Sequence, residues 1–585
     1  MSQRTIIDAS MGRIKADMVI TDVKPIDVIS REILEGGIAI KEGMICRIGD
    51  VSDLIGKKTK VIKGLGRYAS PAFIESHIHV ESTMLTLTEF ARAVIPHGTG
   101  TAIIDPHEIA NVTGIRGLEI FMEEARKLPL RFLMEVPSCV PAASPKLETA
   151  GARLDAFTVD RLLQDPMVVG LGEVMNIPAV LNNDEDIHLK IQFARSQGKV
   201  VEGHAPGLKG KKLNAYVAAG IMSDHECETA EEAVDRLRLG MTVMAREASI
   251  VHNMLDILLP LYQEGRSLRR VTICSDDLSP VELADVGHLD RSLRRAIDGG
   301  IDPLVAIQLV TSNPASFFNL PRIGHLAPGN MADIVLIDDL QRINVDIVIL
   351  RGQVVAKKGQ LTVTLPKYDY PQDMRTTIRF GGIPTVLNYM IPAKDGKHKV
   401  HVITAHEGSL ITGSEIQTLE ANEGYVHPDP ERDILIIAVT ERYMKGGNIG
   451  VSFIKGFGLK EGAIASSIAH DSHNIITVAT TPEDALMAIS TVSQSMGGIA
   501  AVNGRKILAT LPLPIAGVIT DEPVDKVARR LQAVRAAAHE LGCQLEHPFL
   551  TLSFMALPVI PTLKITDKGL IDVREMKIIS PIVEK

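Results

Sequence analysis

The 585-residue chain has no Trp, and aromatic residues make up only 4% of it. It therefore lacks the stacking platforms on which proteins hold nucleic acid bases, and no cluster of Lys and Arg forms a track for phosphates. Its net charge is −9, which further excludes nucleic acid as a partner and suits a small, neutral substrate. The five cysteines, Cys46, Cys139, Cys227, Cys274 and Cys543, are odd in number, scattered, and contain no Cys-x-x-Cys pair. That excludes a disulfide framework and reads as reduced thiols. No apolar run approaches the roughly 20 residues of a membrane span. The opening Met-Ser-Gln-Arg-Thr-Ile-Ile-Asp lacks the basic head and apolar stretch of a secretory leader, so a cytoplasmic protein without a membrane partner is expected.

The chain is rich in small aliphatic residues, and 45% of it is hydrophobic. At this length it is too long for a single core, which suggests several domains or one large barrel with additions. Short β-type runs at Met18 to Val23, Gly37 to Ile40 and Ile45 to Ile48 share their character with Ala332 to Ile337 and Val345 to Leu350. The two pieces are expected to pair into one composite β-domain, a split sandwich of residues 1–68 and 325–364. Between them, in residues 69–324, eight apolar or β-branched runs alternate with helix-like segments. They lie near Pro71 to His79, Thr99 to Asp105, Arg131 to Pro137, Val168 to Val174, Lys199 to His204, Ile221 to His225, Thr242 to Glu247 and Val271 to Asp276. This is the pattern of an α/β fold built on a (β/α)₈, TIM-like barrel, whose active sites collect at the C-terminal ends of the strands. Thr229 and Glu232 read as a capping box that opens one of its helices. A linker, Leu365-Pro-Lys-Tyr-Asp-Tyr-Pro371, precedes residues 372–585, which are expected to form a C-terminal α/β or α+β domain.

The chemistry lies at the ends of these runs. Residues two apart in a strand face one side, so His77 and His79 would project together at the mouth of the first strand and grip one cation. Glu173 ends the fourth run, where a carboxylate can bridge two metals; His204 and His225 end the fifth and sixth and would complete a second site. Asp276 ends the eighth, next to the first strand in a closed barrel, with its second oxygen expected to be free for proton transfer. The expected cofactors are two divalent ions. His and carboxylate ligands suit Mn²⁺, Fe²⁺, Zn²⁺ and Co²⁺ alike.

Pro71-Ala-Phe-Ile-Glu-Ser-His-Ile-His79, the later Glu, His, His and Asp, and Pro328-Gly-Asn-Met-Ala-Asp-Ile-Val335 resemble the amidohydrolase superfamily. Within it the chain resembles the bacterial adenine deaminase family, on His79-Val-Glu-Ser-Thr83, Asp105-Pro-His-Glu-Ile-Ala-Asn-Val112, Gly287-His-Leu-Asp290 and Ala469-His-Asp-Ser-His-Asn474. Many dinuclear superfamily members carry a bridging lysine where this chain has Glu173, and Gly207 stands where mononuclear deaminases carry a proton-shuttling Glu. The resemblance implies attack of a metal-bridging hydroxide on C6 of adenine to give hypoxanthine and ammonia, with Asp276 as proton shuttle. It also implies manganese or iron as the metal, a purine base as ligand and a homo-oligomer, a dimer. Glu81 and Glu108 are candidates to protonate the ring or to support a metal-bound His. Ser82, His107, Arg246 and Glu247 could face the purine, and the last three could equally form local ion pairs. His470, Asp471 and His473 are further candidates to bind the substrate, and their segment could form a lid over the site, a separate metal site or a polar turn. A cyclic-amide hydrolase of the dihydroorotase or hydantoinase kind is the alternative, since the same barrel and metals serve it.

Overall fold

In the computed structural model, which describes residues 3–249, 251–407 and 409–583, strands from both ends of the barrel region lie in one sheet. Its order is Gln360–Leu361, Gln353–Lys357, Val345–Leu350, Ile334–Ile337, Lys60–Pro71, Met18–Asp27, Gly36–Lys41 and Met44–Gly49. Ile334–Ile337 runs antiparallel to Lys60–Pro71, with Ile334 opposite Pro71, and so joins the early segment to the late one. Alternate residues bury one apolar face made of Ile20, Ile38, Ile40, Ala332, Ile334 and Ile347.

Only Ala72 separates this sheet from the first barrel strand. The barrel strands are β1 (Phe73–Ile78), β2 (Thr99–Ile104), β3 (Arg131–Val136), β4 (Val168–Val174), β5 (Val200–Gly203), β6 (Ser223–Asp224), β7 (Thr242–Arg246) and β8 (Val271–Cys274). β1 to β5 pair in one parallel arc and β6 to β8 in another. Met222 N donates to Val201 O at 2.9 Å where the arcs meet between β5 and β6, and Asp276 N donates to His77 O at 3.0 Å where β8 returns to β1. Every residue of β1 and β2 is buried, as expected of parallel strands covered on both faces. Several of the helices between them begin at side-chain caps. Asp155 accepts from Thr158 N at 2.9 Å, and Thr229 accepts from Glu232 N at 3.3 Å. The expected capping box is only half formed, because the Glu232 carboxylate accepts from Glu228 N at 3.0 Å rather than from Thr229.

Beyond Pro371 the largest sheet has ten strands, all paired antiparallel except Gly396–Thr404 with Ile449–Lys455. This is an α+β arrangement. The helix Pro482–Gln494, capped by Thr481, packs on that sheet. The helix Val524–Glu540 lies between the edge of that sheet, at Gly498–Asn503 and Lys506–Pro512, and the barrel helix Pro280–Asp285, and packs on both. One apolar core continues from Leu278 and Leu283 of the barrel to Leu552, Phe554 and Leu557, which seats this region over the C-terminal ends of the barrel strands. Among the described residues, no helix is long and apolar enough to cross a membrane.

Candidate metal centre

The ends of β1, β4, β5, β6 and β8 bring six side chains into one buried cluster. His77 and His79 keep the two-residue repeat of an extended chain, and their Nε2 atoms lie 3.3 Å apart. Asp276 adopts φ +54°, a left-handed conformation that Asp tolerates. The same turn lets its backbone pair with β1 while Oδ1 lies 3.6 Å from His77 Nε2 and 3.2 Å from His79 Nε2. Glu173 follows Gly172, where a Cβ would fall 2.2 Å from Asp105 Oδ2. Only glycine admits that carboxylate, which accepts the Glu173 backbone N–H at 3.0 Å. His204 is held through its backbone, whose N–H donates to the Tyr216 hydroxyl at 3.0 Å, while that hydroxyl donates to Val174 O at 2.6 Å.

The donors fall into two sets that share one carboxylate. Glu173 Oε1 is 3.5 Å from His79 Nε2, beside His77 and Asp276. Glu173 Oε2 is 2.8 Å from His204 Nδ1 and 3.1 Å from His225 Nε2, which are themselves 3.3 Å apart. The far nitrogens of the first pair are engaged: His77 Nδ1 lies 2.7 Å from Glu202 Oε2, and His79 Nδ1 donates to Asp105 O at 2.9 Å. In neutral rings this leaves both Nε2 lone pairs aimed at the same point. Two facing lone pairs beside carboxylate oxygens repel unless a cation stands between them, so the residues fit a metal ion in each set.

The electrostatics point the same way. Burial opposes charge on His77 and His79, yet the carboxylates of Glu202, Asp276 and Glu173 outweigh it and raise both rings well above the ordinary His range. Glu173 and Asp276 are held well below the usual carboxylate range despite burial, Glu173 by His204 and His225, Asp276 by His77, His79 and Arg246. The cluster is thus rich in anionic oxygen and takes up positive charge in whatever form is supplied.

The second oxygen of Asp276 is not free, contrary to the sequence expectation. Arg246 Nη1 donates to Oδ2 at 2.9 Å, and the same guanidinium forms a bidentate pair with Glu226. Glu226 Oε1 in turn lies 3.6 Å from both His204 Nδ1 and His225 Nε2, so Arg246 links the two donor sets. Glu247 does not face the cluster. It pairs with Arg295, with Arg291 at 3.5 Å and with His252 at 3.2 Å, because successive strand residues point to opposite faces.

A cavity lies over the donors. His107 stands at its side, Nδ1 3.4 Å from Glu173 Oε1 and Nε2 3.9 Å from Asp471 Oδ1. Glu108 faces His470 Nδ1 at 3.1 Å and His473 Nε2 at 3.8 Å, a polar contact between the barrel and the C-terminal region. His473 Nδ1 accepts from Ala469 N at 3.3 Å, so the neutral ring carries its proton on Nε2, toward Glu108. That tautomer leaves no lone pair for a metal and disfavours a separate metal site there. Glu81 does not line the cavity; it accepts from Ile109 N at 3.1 Å, and burial together with Glu108 raises it to about 7. Ser82 lines an adjoining cavity and donates to Asp277 Oδ1. Leu410, Phe554, Leu557 and Ile560 form an apolar roof. The sequence offered no signal for the roof, for Asp277 or for Glu226, beyond the position of Glu226 directly after His225.

A closed parallel barrel with two histidine-carboxylate sets sharing one glutamate defines the amidohydrolase class of metal-dependent hydrolases, and the amidohydrolase family profile matches residues 68–355. A second profile, the adenine deaminase C-terminal domain, matches residues 409–577. The adenine deaminase of Moorella thermoacetica is 42% identical over 580 residues, covering 98% of this chain and 97% of that protein. That of Methanothrix thermoacetophila is 43% identical over 571 residues, covering 97% of this chain and 98% of that protein. The chain belongs to the adenine deaminase family.

Proposed function

We propose that the chain hydrolyses adenine at C6 to hypoxanthine and ammonia, using two divalent cations. His77, His79 and Asp276 would hold one, His204 and His225 the other, and Glu173 both. The observation that carries this reading is the division of the Glu173 carboxylate, with Oε1 3.5 Å from His79 and Oε2 2.8 and 3.1 Å from His204 and His225. Family membership supplies the substrate. Cations bound in this way would acidify a water enough to make it a nucleophile at neutral pH.

The protein's own groups do the rest. Asp276 Oδ1, beside His77 and His79, would take the proton from water and return it to the leaving amine, while Arg246 on Oδ2 fixes the direction of the carboxylate. Addition of the water oxygen would make C6 tetrahedral and move the C6=N1 π pair onto N1; the bond from C6 to the amino nitrogen then breaks as the amine gains the proton and the N1 pair re-forms the double bond, giving ammonia and the lactim tautomer of hypoxanthine. The apolar roof excludes bulk water from the ring. Imidazole and carboxylate donors accept Mn²⁺, Fe²⁺ or Zn²⁺; our assignment is Mn²⁺ or Fe²⁺.

The test is ammonia release from adenine by protein reconstituted with two equivalents of Mn²⁺ or Fe²⁺, with hypoxanthine identified as the co-product. Turnover that a chelator abolishes is the expected result. Two bound metals per chain without turnover, together with ring opening of a hydantoin or dihydropyrimidine, would overturn it.

A further inference from the structure

Most carboxyl groups around the cavity have a close partner. Glu226 is paired with Arg246, Asp277 accepts from Ser82, and Glu108, whose oxygens also lack an aligned hydrogen bond, still has His470 Nδ1 in ion-pair contact at 3.1 Å. Asp471 differs. It is 2% exposed and lines the cavity, yet its Oδ2 has no hydrogen-bond partner among the described residues. The nearest histidine nitrogens stand 3.7 and 3.9 Å from Oδ1, beyond hydrogen-bond distance. A buried carboxyl oxygen without a donor calls for a ligand that brings one. The roof beside it, Leu410, Phe554, Leu557 and Ile560, has only apolar side chains, which suit the face of a flat ring whose edge carries an N–H.

The position of Asp471 tells which edge. His107 lies between it and the shared glutamate, one ring nitrogen 3.4 Å from Glu173 and the other 3.9 Å from Asp471. Asp471 therefore stands an imidazole's width and two contact distances from the metal donors. A purine with C6 over Glu173 keeps N1 and the amino group next to the donors and extends its five-membered ring away from them. On the adenine reading, on which this inference rests, we propose that Asp471 accepts the N–H of the imidazole edge of the base. It would then be the residue that selects free purine bases over purines substituted at N9, nucleosides included.

The experiment compares adenine with 9-methyladenine on the metal-loaded wild type and on Asp471→Ala and Asp471→Asn. A site built around an N–H rejects the analogue lacking it by about 10⁴-fold or more in kcat/KM. We expect that ratio in the wild type and a collapse to within about tenfold in Asp471→Ala. The loss on adenine should fall mainly on KM, with two metals still bound and the pH profile of kcat unmoved. If Asp471→Ala folds poorly, as thermal denaturation would report, Asp471→Leu, of similar size and without an acceptor, carries the same comparison, whereas Asp471→Asn, whose amide oxygen still accepts, should keep part of the preference. An unchanged ratio in a folded, two-metal variant overturns the inference. If the wild type fails to turn over adenine, the proposed reaction fails separately. Calorimetric binding of adenine and 9-methyladenine then decides this inference: equal affinities refute it, and a preference for adenine that Asp471→Ala removes supports it.

Discussion

The two donor sets share Glu173 and are nevertheless supported differently. In the first, a group stands behind each ring: the Glu202 carboxylate lies 2.7 Å from His77 Nδ1, an ion-pair contact without hydrogen-bond alignment, and the Asp105 carbonyl accepts from His79 Nδ1 at 2.9 Å, while the His77 side chain is fully buried. In the second, His225 Nδ1 has no hydrogen-bond partner among the described residues, and the His204 side chain is 15% exposed. Groups that hold a ligating imidazole from behind orient it and raise its basicity. The difference therefore predicts a tight first site and a second site that exchanges its cation more readily.

Glu173→Gln should have the largest effect, because it strikes both sets at once. Activity is expected to fall below detection and metal content to drop below two per chain, measured by elemental analysis after dialysis. A fully active variant that retains two metals would remove Glu173 from the shared position.

Arg246→Met tests the link between the sets. It leaves Asp276 and Glu226 buried without their cation, and breaking such a pair destabilises by about 3–5 kcal/mol. The loss should show in denaturant unfolding of the metal-free protein and shrink when metals are bound, since they restore positive charge. A loss under about 1 kcal/mol, the range of an exposed pair, would mean that water reaches this network.

Glu202→Gln acts on the first set alone. Removing such a supporting carboxylate weakens metal binding by about 10–100-fold. Competition with a chelator should show one cation released early and the other unaffected. If both leave together, the two sites are not independent.

The barrel and its donors were legible because each donor ends an apolar β-type run, and a closed barrel turns a list of strand ends into a ring. The same rule of alternation separates Arg246, which points in, from Glu247, which points out to its ion pairs, so the expectation that both face the purine does not hold for Glu247. The free oxygen expected of Asp276 failed for another reason. Its partner Arg246 is 30 residues away on a neighbouring strand, and no spacing reports that pairing. The roof was not legible, because Phe554, Leu557 and Ile560 read as ordinary core residues until the C-terminal region is seen resting on the barrel mouth. Asp471 stood out only by its place in a short His-Asp-Ser-His segment, which gives no distance to the metal donors.

A pH dependence should further separate the metal-free from the loaded protein. Burial opposes charge on His204, but Glu226 and Glu173 raise it to about 9, against an ordinary 6.5. The metal-free folded state thus keeps a proton that the unfolded chain gives up. This stabilisation is fully present below pH 6.5 and is lost as pH rises through 9, with a slope of at most about 1.4 kcal/mol per pH unit for one proton. His77 and His79, also raised, add to the loss in the same direction. A ligating ring carries no proton on its donor atom, so the loaded protein should lack this dependence. Thermal unfolding from pH 6 to 9.5 is expected to show a falling curve for the metal-free protein and a flatter one for the loaded protein. His204→Asn should remove about one proton's share of the fall and leave the contribution of the first set. Parallel curves with and without metal would mean that the second set does not trade a proton for a cation, and the contrast between the two sets would then lie in exposure alone.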